Sequence, residues 1–224
     1  MRLPILLTRP DAASREVAAH LAGERIVISP LIEVAPFGAL PADLPDLLLS
    51  SRNAVAAYVA LGGGPGRAAW VVGPGTAEAA RAAGLSVRAT APDAATLARE
   101  VPVGTGPLLH LRGEVQRGDL AGDLRARGIP ASDAVIYRQT PLALSAEALA
   151  LLRAGPVLVP LYSPRSAALF GDAVPPEARG NLRLVCLSRA VAAAAPVPPD
   201  AVACAPDGPA MLAAIREVLD RNGG

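Results

Sequence analysis

The chain has 224 residues, room for one large domain or two of about 110, and 48 alanines carry much of its 52% hydrophobic content. Aromatics are only 3%, so a core has to be assembled from Ala, Leu and Val. All 21 basic residues are Arg, which excludes Schiff-base, pyridoxal-phosphate, P-loop and kinase-type lysine chemistry, and a net charge of +1 makes no case for nucleic-acid or membrane binding.

The first apolar run, 3–7, stops at Thr8-Arg9-Pro10, too short for a signal-peptide core. No window approaches the ~18 apolar residues of a membrane helix, so a soluble, cytoplasmic protein is expected. Short apolar runs then alternate with Ala-rich stretches along the whole chain. The runs 5–8, 25–28, 47–50, 69–72 and 87–89 predict strands, as do 108–111, 134–137, 157–161, 183–187 and 202–205. Most are apolar throughout, as parallel strands covered on both faces are. Helices are predicted over 11–22, 52–61, 76–83, 94–100 and 118–127, and over 146–153, 165–171, 190–194 and 208–221. The alternation specifies α/β architecture with doubly wound parallel sheets.

The sequence also repeats itself. Residues 49–55 resemble 161–167 at an offset of 112, and 72–78 resemble 186–192 at 114. Residues 90–97, with Ala91-Pro92-Asp93, match 204–211, with Ala205-Pro206-Asp207, again at 114. Leu7-Thr8-Arg9 pairs with Leu111-Arg112 and its neighbours at 103. The chain reads as two copies of one α/β unit, about 1–107 and 108–224. Segments 29–36 and 133–141 occupy equivalent places, each extended and closed by Pro, and are the expected crossings between lobes.

Ligands of open α/β sheets bind beyond the carboxyl ends of the strands, where helix N-termini offer N–H groups. The residues there are Thr8-Arg9, Ser50-Ser51-Arg52-Asn53, Gly73 to Thr76, Arg112-Gly113, Tyr162-Ser163-Pro164-Arg165-Ser166 and Ser188-Arg189. Helix capping accounts for most of the hydroxyls. It leaves unexplained an Arg in five of the six loops, where a cation opposes the helix dipole. An anion held between the Arg side chains and the helix N-termini reverses that penalty, so a multiply anionic ligand is expected. Gly73-Pro74-Gly75 lacks the third glycine of a dinucleotide fingerprint, which favours a polycarboxylate over a nucleotide. His20, His110, Cys186 and Cys204 have no metal-ligand spacing, which argues against a metal site, a disulfide framework, a reactive thiol and a His-based triad. Tyr137, in a candidate crossing, is a phenol able to donate a proton or hydrogen bond; a Tyr in an apolar strand is also an ordinary core residue.

In order and at these spacings, several short segments resemble uroporphyrinogen-III synthase over essentially the full length. They are Leu6 to Pro10, Leu49 to Val55, Val72 to Ala77, Leu111-Arg112-Gly113 with Arg117 and Leu120, Val135 to Arg138, Tyr162 to Ala167 and Ala205-Pro206-Asp207. The resemblance implies two flavodoxin-like α/β lobes joined by a two-stranded β-ladder. The first lobe, 1–36 with 141–224, is discontinuous; the second is 37–140. It implies a hydro-lyase of tetrapyrrole (haem, chlorophyll, cobalamin) biosynthesis that uses no cofactor or metal. The substrate, hydroxymethylbilane, bears eight carboxylates and would be handed over by hydroxymethylbilane synthase to a monomeric enzyme. The reaction loses the terminal hydroxyl, inverts the last pyrrole ring through a spiro intermediate and closes the macrocycle to uroporphyrinogen III. The resemblance makes Tyr137 the residue that assists hydroxyl departure and places Ser51, Thr76 and Ser163 in the substrate cleft. Where the family's second turn reads Gly-x-Thr-Ala, this chain has Leu187-Ser188-Arg189-Ala190, so Ser188 or Arg189 would replace the hydroxyl. Loop position and charge add Arg9, Ser50, Arg52, Arg112 and Arg165 as substrate contacts. The alternative is a two-lobed sensor that binds a tetrapyrrole or another polycarboxylate without turnover.

Overall fold

A computed structural model describes residues 2–116 and 118–222; Arg117, one of the residues carrying the resemblance, lies outside them. In chain order the first elements are β1 (Ile5–Leu7), α1 (Asp11–Ala19), β2 (Ile26–Ile28), β3 (Ile32–Pro36), β4 (Asp46–Leu49), α2 (Arg52–Ala60) and β5 (Ala68–Val72). Next come α3 (Pro74–Ala82), β6 (Ser86–Ala91), α4 (Ala94–Glu100), β7 (Leu108–Gly113), α5 (Leu120–Ala126) and β8 (Ala131–Pro141). The chain continues through α6 (Ala146–Ala154), β9 (Val157–Leu161), α7 (Pro164–Ala173), β10 (Leu182–Cys186), α8 (Arg189–Ala193), β11 (Ala201–Val202) and α9 (Gly208–Arg221).

These elements form two compact units, Met1–Glu33 with Thr140–Gly224 and Val34–Gln139. The first has a five-stranded sheet in the order β11-β10-β9-β1-β2, so strands from both ends of the chain share it. The second has six strands, β3-β8-β7-β4-β5-β6. Neighbours from β2 to β11 in the first sheet, and from β8 to β6 in the second, pair in parallel. β3 and β8 carry the chain from one unit to the other. They run in opposite directions: Phe37 donates to the Ile136 carbonyl (2.8 Å) and Leu142 to that of Leu31 (2.9 Å).

The central strands are apolar throughout because both faces are covered. Side chains alternate across a strand, so Leu6 of β1 packs with Phe170 of α7 while Ile5 and Leu7 pack with Met211 and Ile215 of α9. In the second unit Leu47 and Leu49 of β4 pack with Tyr58 of α2, and Leu48 between them faces Leu97 of α4. Few aromatics are needed, because Ala, Leu and Val fill the thin layers between each sheet and its helices.

The sequence repeat maps onto these sheets crosswise. β2-β1-β9-β10-β11 and β8-β7-β4-β5-β6 have the same order, element for element. The register agrees as well: Ile5 pairs with Leu158, and Leu108 with Asp46, which are the same two positions at offsets of 103 and 112. The parallel part of each sheet thus takes two strands from one sequence copy and three from the other, and the first unit becomes discontinuous. The duplicated Ala-Pro-Asp has a structural meaning. Asp93 caps α4 by accepting from Thr96 N (2.7 Å), and Asp207 caps α9 by accepting from Ala210 N (2.8 Å). Asp207→Ala removes the capping side chain at the start of a 14-residue helix. It is expected to lower stability by about 1 kcal/mol, read as a shift in the urea midpoint at unchanged m-value.

Three elements depart from expectation. The strand predicted at 202–205 is Ala201–Val202, followed by the loop that leads to the Asp207 cap. The 3₁₀ turn Pro176–Asn181 has no counterpart among the predicted elements, because its prolines break helical periodicity. The helix expected over 11–22 ends at Ala19, with His20 as its C-cap. Among the described residues no helix is long and apolar enough to cross a membrane.

Candidate active site

The loops after β4, β9 and β10 are short because the next helix starts at once from a capping serine. Ser51 caps α2, accepting from Asn53 N (3.1 Å); Ser163 caps α7, accepting from Ser166 N (3.1 Å); Ser188 caps α8, accepting from Val191 N (3.4 Å). Each of these hydroxyls therefore serves its own helix as an acceptor, and Ser163 Oγ also shares a hydrogen bond with Ser166 Oγ. Thr76 is buried in the first turn of α3, behind the cap residue Gly73 at φ +81°. Ser188 stands where Gly73 does, immediately before its helix, so the position matching Thr76 is Val191, buried in the core. That registration is one residue further along than the sequence repeat implies.

Within the unit Val34–Gln139, the β4–α2 and β5–α3 loops meet: a Cβ on Gly75 would stand 3.8 Å from Cδ of Arg52. Within the other unit, Arg9 lies with its guanidinium 4.2 Å from the centre of the Tyr162 ring, a cation–π contact that joins the β1–α1 loop to the β9–α7 loop. Burial pushes the Tyr162 phenol up from its ordinary value, against the charge and hydrogen bond of Arg9. Arg165 follows Pro164 in the first turn of α7. Ser188 and Arg189, together with Cys204 and residues of the β11 loop, line an open cavity of about 420 Å³ at the carboxyl ends of β10 and β11.

Tyr137 lies in β8, 7% exposed, packed with Leu49, Leu111 and Ile136. Its ring covers Gly113: a Cβ there would fall 2.6 Å from Cε2, 2.7 Å from Cζ and 3.1 Å from Oη. No other residue type leaves that space open, which explains Gly113 directly after Arg112. The next residue, Arg138, stacks on Phe37 at 3.4 Å and pairs with Glu114 at 3.3 Å.

One arrangement goes beyond the sequence reading. Linear spacing argues against His-based triad chemistry, yet Ser50, His110 and Asp133 form a continuous hydrogen-bonded chain. Ser50 Oγ lies 2.9 Å from His110 Nε2, and His110 Nδ1 lies 3.1 Å from Asp133 Oδ1. Arg112 Nε donates to the same oxygen at 3.1 Å and its Nη1 donates to the Gly113 carbonyl at 3.0 Å. Sheet adjacency does what linear spacing does not: β7 lies between β4 and β8, with His110 opposite Leu48 and Asp133. His110 and Arg112 are two apart on one face of β7, as Leu48 and Ser50 are along β4.

His110 is only 4% exposed. Burial pushes its pKa below the ordinary 6.5, the hydrogen bond and charge of Asp133 oppose this, and the charge of Arg112 adds to it. A neutral imidazole beside a carboxylate carries its proton on Nδ1, so Nε2 is the acceptor for the Ser50 hydroxyl. Arg112, expected as a substrate contact, is thereby also an ion-pair partner of Asp133. The signal for this cluster was present: two polar residues in the apolar run 108–111 and its extension must find partners when buried. Among the described residues no group of three His, Cys, Asp or Glu could hold a metal ion.

Comparison with known proteins gives the following. The family model described as uroporphyrinogen-III synthase HemD matches residues 15–213. The structure is similar to that of uroporphyrinogen-III synthetase from Helicobacter pylori, with a TM-score of 0.71 at 18% identity, covering 97% of this chain and 100% of that one. It is also similar to a mutant uroporphyrinogen III synthase from the extremely thermophilic bacterium Thermus thermophilus, with a TM-score of 0.56 at 17% identity, covering 98% of each chain. These likenesses establish the two-lobed α/β fold. No curated protein matches the sequence.

Proposed function

Since the chain belongs to the uroporphyrinogen-III synthase HemD family, we propose that it is an active hydro-lyase converting hydroxymethylbilane to uroporphyrinogen III. The observation that carries this reading is the family match across residues 15–213. The loop chemistry supports it: a substrate with eight carboxylates suits strand ends that present Arg and capped hydroxyls. In this reading Arg9, Arg52, Arg112, Arg165 and Arg189, with Ser50, Ser51, Thr76, Ser163 and Ser188, hold the acetate and propionate side chains. Asp133 already offsets part of the charge of Arg112.

The difficult step is geometric. The bilane also closes unaided, without ring inversion, so the protein has to hold its last ring with the substituted carbon facing the activated first ring. Tyr137 donates its phenolic proton to the departing hydroxyl, which leaves as water, and the phenolate recovers a proton as the macrocycle rearomatises. The phenol is held for this by the ring's packing on Gly113.

The test is a coupled assay. Hydroxymethylbilane is generated in situ, the protein is added, the products are oxidised, and porphyrin isomers I and III are separated by chromatography. Isomer III as the main product is expected. Isomer I alone, from folded protein, rules out the synthase and leaves the binding-only sensor, which tetrapyrrole-dependent thermal stabilisation then tests.

A further inference from the structure

We propose that Ser50 is an activated nucleophile and that the unit Val34–Gln139 carries a Ser50–His110–Asp133 acyl-transfer site for small activated carboxylic esters, an activity separate from bilane closure. The three side chains have the relation that nucleophilic serine catalysis requires: nucleophile to base at 2.9 Å, base to orienting carboxylate at 3.1 Å, each in hydrogen-bond reach. The orienting residue is itself fixed, since Arg112 Nε binds the same carboxylate oxygen at 3.1 Å. A buried histidine could be satisfied by any pair of polar neighbours. Here one partner is a carboxylate that only accepts, which sets the tautomer, and the other is an exposed hydroxyl at the end of β4. The base is thus sealed from water while the group it deprotonates faces solvent.

The step balances without a co-reactant other than water. Ser50 Oγ forms a bond to the ester carbonyl carbon as its proton passes to His110 Nε2. The bond from that carbon to the leaving oxygen breaks, and the departing alcohol or phenol takes the proton from Nε2. Water then attacks the acyl-Ser50 carbonyl, gives its proton to Nε2, and the acid leaves as Ser50 regains a proton. Ser50 and Arg112 also stand among the groups proposed to hold the bilane, but the labelling below needs no bilane, so its failure and that of the synthase reading are distinguishable.

The experiment is reaction of the full-length protein with an alkyl fluorophosphonate, which transfers its phosphonyl group to an activated serine with loss of fluoride. Mass spectrometry locates the adduct, and p-nitrophenyl acetate hydrolysis is followed in parallel. One adduct per chain at Ser50 is expected, abolished by Ser50→Ala, together with ester hydrolysis about 100-fold or more above that of the same variant. Asp133→Asn, which retains the shape but loses the orienting charge, is expected to slow labelling by a similar factor. His110 is buried and its replacement can disturb folding, so the decisive readings are on the unaltered chain and on Ser50→Ala at an exposed position. Folded protein with no adduct at Ser50, or with adducts spread equally over other serines, overturns the proposal.

Discussion

Tyr137→Phe is expected to lower turnover of hydroxymethylbilane to isomer III by about 100-fold, the lower end of what a positioned proton donor contributes, with KM little changed. The argument rests on what the substitution leaves in place. Phenylalanine preserves the ring that packs with Leu49, Leu111 and Ile136 and covers Gly113, so the core and the β7–β8 register persist. Only the O–H is lost. The carboxylates of the substrate are held by other groups in the proposed arrangement, which is why binding is expected to survive. Stability is expected to stay within about 1 kcal/mol of the parent, the net worth of a single hydrogen bond, by urea denaturation. A rise in isomer I relative to III is expected alongside the fall in rate, because unaided closure then competes. Unchanged turnover would remove Tyr137 from the mechanism.

The architecture was legible because parallel strands covered on both faces have no polar alternation to obscure them. Runs such as 157–161 and 183–187, observed as strands Val157–Leu161 and Leu182–Cys186, stand out against Ala-rich helices, and the repeat predicts equivalent strands that the two sheets then share out. What sequence could not settle was adjacency. Ser50, His110 and Asp133 are 60 and 23 residues apart, and only the order β4-β7-β8 brings them together. Two isolated histidines therefore read as inert, although one anchors a polar chain. The same limit applies to the loops. Ser51, Ser163 and Ser188 read both as caps and as ligand contacts, and all three are observed as caps. Arg112 stands out by its charge, with no sign in the sequence that Asp133 in the next strand shares it. Spacing within one strand was informative where faces alternate, as for His110 and Arg112; spacing between strands was not.

Gly113→Ala is expected to destabilise the protein by about 1–3 kcal/mol, the usual cost of forcing an extra methyl into a packed core, and to depress turnover as severely as loss of the phenol does. Gly113 is not required for its backbone, since its φ is not among the positive values; it is required for space. The new Cβ would lie 2.6–2.7 Å from two ring carbons of Tyr137, and a ring in a buried strand cannot swing aside freely. Either β7 separates from β8, weakening the pairing of Gly113 with Tyr137, or the ring leaves its rotamer and Oη moves from its place. The cause can be isolated with a double-mutant cycle. In a Tyr137→Leu background, where no ring fills the space, Gly113→Ala should cost less than half of what it costs in the parent, measured as ΔΔG from denaturant curves. Equal costs in both backgrounds would mean that the penalty arises in the β7 backbone rather than at the ring. A large coupling would place the stability of this strand pair and the position of the phenol under the control of one missing side chain, so that Gly113 and Tyr137 act as one unit in the proposed reaction.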